Sequence, residues 1–172
     1  VVYYVGDDAP YENLKIGPAE LATCSFGQGF NTSMIQVASA FSSVINGGYY
    51  YQPHVVKEIR NPDGTVVEKY EPRVLKQVIS ESTSEEMRQY LFNVCDIGTG
   101  TTAVPAGYLI GGKTGTAEMY PRKTGNYVVS FVGFAPVDDP QVMVYVVIDR
   151  PNVEDQPHST FAQEIANNIL TE

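Results

Sequence analysis

The sequence predicts an α+β fold in which helices pack against an antiparallel sheet. Three segments rich in strand-forming residues, 108–119, 127–134 and 142–148, are separated by turn residues at 123–126 and 138–140. Short turns between consecutive strands predict an antiparallel meander. Apolar residues at helical spacing before and after these segments supply helices that can cover the sheet.

The composition indicates one folded domain and excludes several classes of function. A length of 172 residues with 43% hydrophobic residues is enough for a single core. The net charge of −9 and the absence of basic clusters argue against nucleic-acid binding. No apolar run reaches the roughly eighteen residues that a membrane span needs. The two cysteines, Cys24 and Cys95, are expected to be free thiols.

The first half of the chain is predicted to be mainly helical. A short helix covers 17–22 with Pro18 in its first turn. Asn31 or Thr32 is expected to cap a second helix, which ends at 47–48. The apolar positions of this second helix are Met34, Ile35, Val37, Ala38, Phe41, Val44 and Ile45.

A surface hairpin and two further helices complete the prediction. The segments 55–60 and 65–70 flank the turn sequence Asn-Pro-Asp-Gly at 61–64. Ser82 or Ser84 is expected to cap a third helix that ends near residue 98. The final helix begins after a polar loop, with Thr160 and Gln163 predicted to form its capping box.

The third strand segment, 142–148, is apolar at every position. Such runs are typical of strands covered on both faces in the middle of a sheet. In the predicted meander, however, this strand lies at an edge, where a long apolar strand is prone to aggregation. We therefore expect a further strand, from sequence outside this chain, to pair with it.

The candidate site is the segment Lys113, Thr114, Gly115 and Thr116, which follows an apolar strand start and two glycines. A cation and two hydroxyls on one strand can bind a carboxylate, and glycines permit close approach of another backbone or a ligand. The same three letters, Lys-Thr-Gly, recur at Lys123. That copy lies among turn residues, which predicts a solvated side chain.

With Lys113 placed on a strand, the chain resembles the penicillin-binding protein transpeptidases over nearly its whole length. The resemblance is closest to the monofunctional class B branch, which works in septal (cell division) or elongation cell-wall synthesis. Three further segments, landmarks of the family, support the resemblance, and they occur in the family's order. They are residues 25–31, which contain Gly-Gln-Gly, residues 46–54, which begin with Asn-Gly-Gly and end with Gln-Pro-His, and residues 98–101, Gly-Thr-Gly-Thr.

The resemblance implies a serine acyltransferase with an acyl-enzyme intermediate. Lys113 would provide positive charge near a serine of the second motif and the substrate carboxylate. The hydroxyls of Thr114 and Thr116 would bind that carboxylate, or the equivalent group of a β-lactam. Gly115 would let the substrate backbone lie against the strand, and the Thr116 N–H would be one oxyanion donor.

The chain departs from the family pattern in one respect. None of its ten serines has lysine three positions later or asparagine two positions later. Residues 1–172 are therefore predicted to be the C-terminal part of one transpeptidase domain whose N-terminal part carries S-x-x-K and S-x-N. Alone, the chain is expected to be inactive. The protein that contains both parts of the domain is expected to lie at the extracytoplasmic face of the bacterial membrane, anchored by an N-terminal segment. It is expected to act on peptidoglycan stem peptides.

Three alternatives remain open on the sequence. A β-lactamase or a β-lactam sensor shares the motifs, although the separation between Lys113 and any preceding second motif is long for a β-lactamase. The third is a non-catalytic folding or interaction fragment. His54 and His158 lack metal-ligand partners at useful spacing, so neither a metal nor a cofactor is expected.

Overall fold

A computed structural model describes residues 17–27 and 32–172. In chain order the helices are α1 (Pro18–Cys24), α2 (Met34–Ile45), α3 (Glu81–Asp96) and α4 (Thr160–Thr171), with a 3-10 turn at Thr101–Ala103. The strands are β1 (Tyr49–Tyr51), β2 (Glu58–Arg60), β3 (Val66–Lys69), β4 (Val74–Gln77), β5 (Gly111–Glu118), β6 (Tyr127–Ala135) and β7 (Val142–Asp149). The predicted α+β class is confirmed.

The chain divides into two compact units between Val37 and Ala38. In the first, α1 begins with Pro18 in its first turn, as predicted. At the start of α2, the Gln36 N–H donates to Ser33 Oγ at 3.4 Å, and the Ser33 N–H donates to Gln36 Oε1 at 3.1 Å. This reciprocal pair is a capping box, so Ser33 caps the helix where Thr32 was predicted to. The other predicted cap, Asn31, lies outside the described residues.

In the second unit, β5, β6 and β7 form the predicted antiparallel meander. Gly111 pairs with Phe134 and Gly112 with Gly133. A Cβ at Gly111 would lie 2.5 Å from the Phe134 ring, and one at Gly112 would lie 2.5 Å from the Phe131 ring. The two glycines are therefore required by packing, because phenyl rings of β6 occupy the space that side chains on β5 would fill.

Helices cover both faces of this sheet. Phe131 is fully buried in a cluster that includes Ala103 and, from α4, Ala162 and Ala166. Phe134 is three residues along β6, so its side chain lies on the opposite face. It packs with Ile45 of α2 and Leu91 of α3. The site strand β5 is thus held against β6, whose aromatic side chains anchor it to both helical layers.

Side chains of α3 form hydrogen bonds with backbone groups at the C-terminal end of α2. The buried Ser84 hydroxyl donates to the Val44 carbonyl at 2.7 Å and accepts the Gly47 N–H at 3.0 Å. Arg88 Nη1 donates to the Ile45 carbonyl at 3.0 Å. These bonds satisfy backbone groups that the end of a helix leaves without partners. The predicted capping role of Ser82 or Ser84 is wrong, because Ser80 caps α3 by accepting the Thr83 N–H.

Two short ribbons precede α3. The predicted hairpin is confirmed as β2 paired with β3, although both strands are shorter than the predicted segments. The other ribbon pairs β1 with β4, which the sequence did not predict. The β1 strand is a run of three tyrosines, and its partner lies more than twenty residues further on. No local turn signal links the two strands.

The strand β7 is half-buried along its length, and its first residue, Val142, is 56% exposed. Among the described residues it pairs with β6 alone. The further strand expected at this edge stays a prediction. In the part of the chain that the structure describes, no helix combines the length and hydropathy needed to cross a bilayer.

Candidate functional site

The four predicted site residues all lie on β5. Lys113 and Thr116 are exposed, whereas Thr114 and Gly115 are half-buried. Within the described residues β5 pairs only with β6, so one side of the strand has no partner strand. An edge strand presents backbone N–H and C=O groups to a ligand, which can bind as an additional strand.

The ammonium group of Lys113 lies against the backbone of its own strand. Its Nζ donates to the Thr114 carbonyl at 2.7 Å. Backbone groups two residues apart on a strand point to the same side, so the N–H of Thr116 lies on the side that the Thr114 carbonyl faces. A cation and a backbone donor therefore lie along one side of the strand.

Thr114 makes the least expected contact of the site. Its hydroxyl lies 3.1 Å from that of Thr99, in the segment between α3 and the 3-10 turn. The Thr99 carbonyl accepts a hydrogen bond from Nε2 of the buried Gln163 on α4, at 3.0 Å. In the sequence, Thr99 was recognisable only as part of a family landmark. The capping box predicted for Gln163 is wrong, because α4 has no side-chain cap bond at its start.

Gly115 lies opposite Ser130 of β6. A Cβ at position 115 would collide with Ser130 Oγ, the nearest heavy atom outside the strand. A hydroxyl of the neighbouring strand therefore occupies the space beside this glycine, and the predicted approach of a substrate backbone stays a prediction. The sequence analysis did not identify Ser130 as a neighbour of the candidate site.

The second Lys-Thr-Gly copy lies in the loop that joins β5 to β6. Lys123 is exposed and has a positive φ of 65°. Its backbone N–H donates to Glu118 Oε1 at 2.5 Å. Thr124 donates to the Pro121 carbonyl at 3.1 Å, within the same loop. Lys113 and Lys123 thus differ as predicted, since one lies on the strand and the other in a turn.

The described residues contain no cluster of three or more His, Cys, Asp or Glu side chains that could hold a metal ion. His158 instead pairs with Asp155, with 2.7 Å between Nε2 and Oδ2. The polar groups that β5 itself presents are a cation, hydroxyls and backbone N–H groups. Such groups bind carboxylates and stabilise negative charge that develops on oxygen.

Comparison with known protein families shows the family to which the chain belongs. The family model described as the penicillin binding protein transpeptidase domain matches residues 5–171. The chain therefore belongs to the penicillin-binding protein transpeptidase family, which confirms the resemblance carried by the strand motif and its landmarks.

Two relatives illustrate the range of similarity. Stage V sporulation protein D of Bacillus subtilis is 44% identical over 162 residues, which cover 91% of this chain and 25% of the relative. The probable peptidoglycan D,D-transpeptidase PenA of Neisseria gonorrhoeae is 34% identical over 138 residues, covering 78% of this chain and 22% of the relative. The chain thus spans about a quarter of the length of the curated relatives it matches.

A solved structure shares the fold. Penicillin binding protein 3 of Mycobacterium tuberculosis, complexed with aztreonam, is 29% identical with a TM-score of 0.77. The match covers 89% of this chain and 37% of that one. The antiparallel sheet with its packed helices is therefore the arrangement found in a penicillin-binding protein.

Proposed function

We propose that this chain is the C-terminal part of the transpeptidase domain of a peptidoglycan D,D-transpeptidase. In this proposal β5 binds the substrate, and the nucleophilic serine comes from a preceding part of the same domain. The polypeptide that contains both parts is called the parent protein below. The chain alone would be inactive.

The observation that carries the proposal is the arrangement on β5. Lys113 is exposed and donates to the Thr114 carbonyl, and Thr116, two residues after Thr114, is exposed as well. Both lie on a strand that pairs with β6 alone among the residues that the structure describes. Together these residues offer one positive charge, two hydroxyls and strand-edge N–H groups. This set suits a peptide substrate that ends in a carboxylate and lies along the strand.

The proposed chemistry is acyl transfer. The nucleophilic serine loses its proton to a base in the preceding part of the domain and attacks the peptide carbonyl, and the Thr116 N–H donates to the oxyanion that forms. Such a donor is worth about a hundred- to a thousandfold in turnover. The intermediate collapses as the peptide C–N bond breaks, and the C-terminal amino acid leaves with a proton on its amine. An amine of a second stem peptide then attacks the acyl-serine ester and releases the serine. Lys113 and the two threonine hydroxyls bind the substrate carboxylate and so fix the scissile carbonyl in place. A β-lactam with its own carboxylate would be held in the same way and would acylate the same serine.

The absence of S-x-x-K and S-x-N from the sequence supports the division of the site between two parts of a domain. The match to about a quarter of each relative is consistent with it. The substrate is a stem peptide of peptidoglycan. We accordingly place the parent protein on the outer face of the bacterial cell membrane, where that polymer is assembled.

The experiment compares two lysines in the parent protein. Lys113→Ala removes the cation from β5 and should slow acylation by a fluorescent penicillin by about ten- to a hundredfold, as expected for a lost hydrogen bond to a charged group. Lys123→Ala is the matched control, because it removes the same side chain from the neighbouring turn. Equal effects of the two substitutions would contradict the assignment of β5 as the binding strand.

The fate of the adduct separates the transpeptidase from a β-lactamase. A transpeptidase acylated by penicillin should hold the adduct long enough for detection by mass spectrometry of the intact protein. Rapid hydrolysis with many turnovers would instead identify a β-lactamase. The isolated 172-residue chain should not be labelled, and a stable covalent adduct on it would refute the proposal of a missing nucleophile.

A further inference from the structure

We propose that Thr99 is a positioning residue for the carboxylate-binding hydroxyl of Thr114, and that α4 holds Thr99 in place. This inference rests on the proposed function above, since it concerns how the same site binds its substrate. It adds two residues outside the strand motif, namely Thr99, 15 residues before Thr114, and Gln163 on α4.

The direction of the hydrogen bond between the two hydroxyls follows from counting protons. Thr99 Oγ1 and Thr114 Oγ1 are 3.1 Å apart, and either can be the donor. Each hydroxyl has one proton to donate and two lone pairs. An ionised carboxylate only accepts. When Thr114 donates to a bound carboxylate, its proton is used, so the bond to Thr99 persists only with Thr99 as donor.

Thr99, Thr114 and the bound carboxylate then form a chain in which each hydroxyl donates to the next acceptor. Donation from Thr99 polarises the Thr114 hydroxyl and makes it a better donor. It also holds Thr114 Oγ1 in one orientation before the substrate arrives. A group that is already oriented loses less freedom when the ligand binds.

Thr99 is itself held from α4 by two amide side chains one helical turn apart. Gln163 Nε2 donates to the Thr99 carbonyl at 3.0 Å, and Asn167 Nδ2 donates to the Thr102 carbonyl at 3.1 Å. The two bonds fix both ends of the segment 99–102. Residues four apart on a helix project from the same face, so α4 can make both contacts at once.

Gln163 is fully buried, with 0% of its surface exposed. Its Nε2 also donates to Ser159 Oγ at 3.1 Å, so the amide nitrogen faces two acceptors and the orientation of the amide is defined. Among the described residues its Oε1 has no hydrogen-bond partner. A buried acceptor left in this way is unfavourable, so the favourable contribution of this amide comes from the bonds that Nε2 makes.

The test measures acylation of the parent protein by benzylpenicillin and by its methyl ester, which lacks the ionised carboxylate. Thr99→Val keeps the shape of the side chain and removes the hydroxyl. It should slow acylation by benzylpenicillin about tenfold and change the rate with the ester less than about twofold, since one hydrogen bond to a charged system is lost. Thr99→Ser, which restores a donor, should return the benzylpenicillin rate to within about threefold of the wild type.

Two further variants test the role of α4. Gln163→Met removes the amide at similar length and should cause the same selective loss with benzylpenicillin. Combining it with Thr99→Val should add no further selectivity, because both changes act through one contact. Thr101→Val is the matched control, since it removes an exposed threonine hydroxyl two residues away, and it should leave the ratio of the two rates unchanged.

The outcomes are distinct. If Thr99→Val leaves the ratio of the two rates at the wild-type value, or lowers both rates equally, the inference is overturned while the proposed function stands. If the wild-type parent protein is acylated by neither compound, the proposed function fails and the inference fails with it. Should Gln163→Met not fold, the Thr99 variants decide the question alone.

Discussion

Glu118 and Lys123 are joined by a hydrogen bond of 2.5 Å from the Lys123 backbone N–H to Glu118 Oε1. The bond links the last residue of β5 to a loop residue with a positive φ. A non-glycine residue in that conformation needs compensation from its surroundings. The Glu118 carboxylate thus hydrogen-bonds to the loop that follows β5.

Glu118→Ala should increase hydrogen exchange at the Lys123 amide by about tenfold or more, because the N–H loses its acceptor. Exchange followed by mass spectrometry or NMR on the parent protein measures this. Glu118→Gln retains an acceptor oxygen and should show a much smaller increase. If the alanine and glutamine variants exchange at the same rate, the carboxyl oxygen is not what protects this amide.

Gly115→Ala should destabilise the β5–β6 pair, because the new methyl group meets Ser130 Oγ. The cost should be about 1 kcal/mol, the low end for insertions into a packed site, because the Ser130 hydroxyl can rotate away from the new methyl group. Ser130→Ala removes the colliding atom and should recover most of the stability of the Gly115→Ala protein. Thermal unfolding of the two single variants and the double variant measures this coupling. Simple addition of the two effects would show that the collision is relieved elsewhere.

The same pair of variants separates packing from substrate binding at Gly115. If the double variant regains thermal stability but acylates slowly, Gly115 is needed by the ligand as well as by Ser130. Recovery of both properties would assign the glycine to packing alone.

Ser84→Ala should destabilise the protein by about 1–3 kcal/mol, because the Val44 carbonyl and the Gly47 N–H both lose a buried partner. Ser80→Ala removes the N-cap of α3 and should cost about 1 kcal/mol. Ser82→Ala is the control on the exposed surface of the same helix, with an expected change within about 0.5 kcal/mol. Denaturant unfolding measures all three, and an equal cost for Ser82 and Ser84 would contradict the role given to the buried hydroxyl.

Burial raises the pKa of the Cys95 thiol from its ordinary value near 9 to about 12. The folded protein therefore keeps the proton at pH values where the unfolded chain releases it. The stability from this group is fully present below about pH 9 and is lost as the pH rises toward 12, by about 1.4 kcal/mol for each pH unit between those values.

Cys95→Ala should flatten the dependence of unfolding free energy on pH between 9 and about 12, whatever its constant cost in packing. The free energy of unfolding measured in denaturant at several pH values checks this. The thiol should also resist a disulfide reagent at pH 8 until the protein unfolds, whereas the half-buried Cys24 should react sooner. Rapid modification of Cys95 in the native protein would contradict its burial.

The sequence predicted the sheet well because its signals are local. Strand-forming segments with turn residues between them gave β5, β6 and β7 in their correct order and orientation. The flanking residues also separated Lys113 from Lys123, since an apolar strand start precedes one and turn residues surround the other. These features depend on neighbours within about ten residues.

The contacts that complete the site could not be predicted in the same way. Gln163 and Thr99 are 64 residues apart, and the sequence around Gln163 matches a capping box equally well. Periodicity shows which face of a helix is buried, but not which distant carbonyl a buried amide will meet. The close approach of Ser130 Oγ to Gly115 likewise depends on the register of two strands, which the pattern of apolar residues does not fix to the atom.

The position of α4 has a genetic consequence. The helix supplies two core alanines and both amides that hold the segment 99–102, yet it lies more than forty residues after the strand motif in the sequence. A nonsense mutation before the codon for Gln163 would leave all four residues of the strand motif intact in the product. It would nevertheless remove the support on which their geometry depends, so such alleles should behave as complete losses of function.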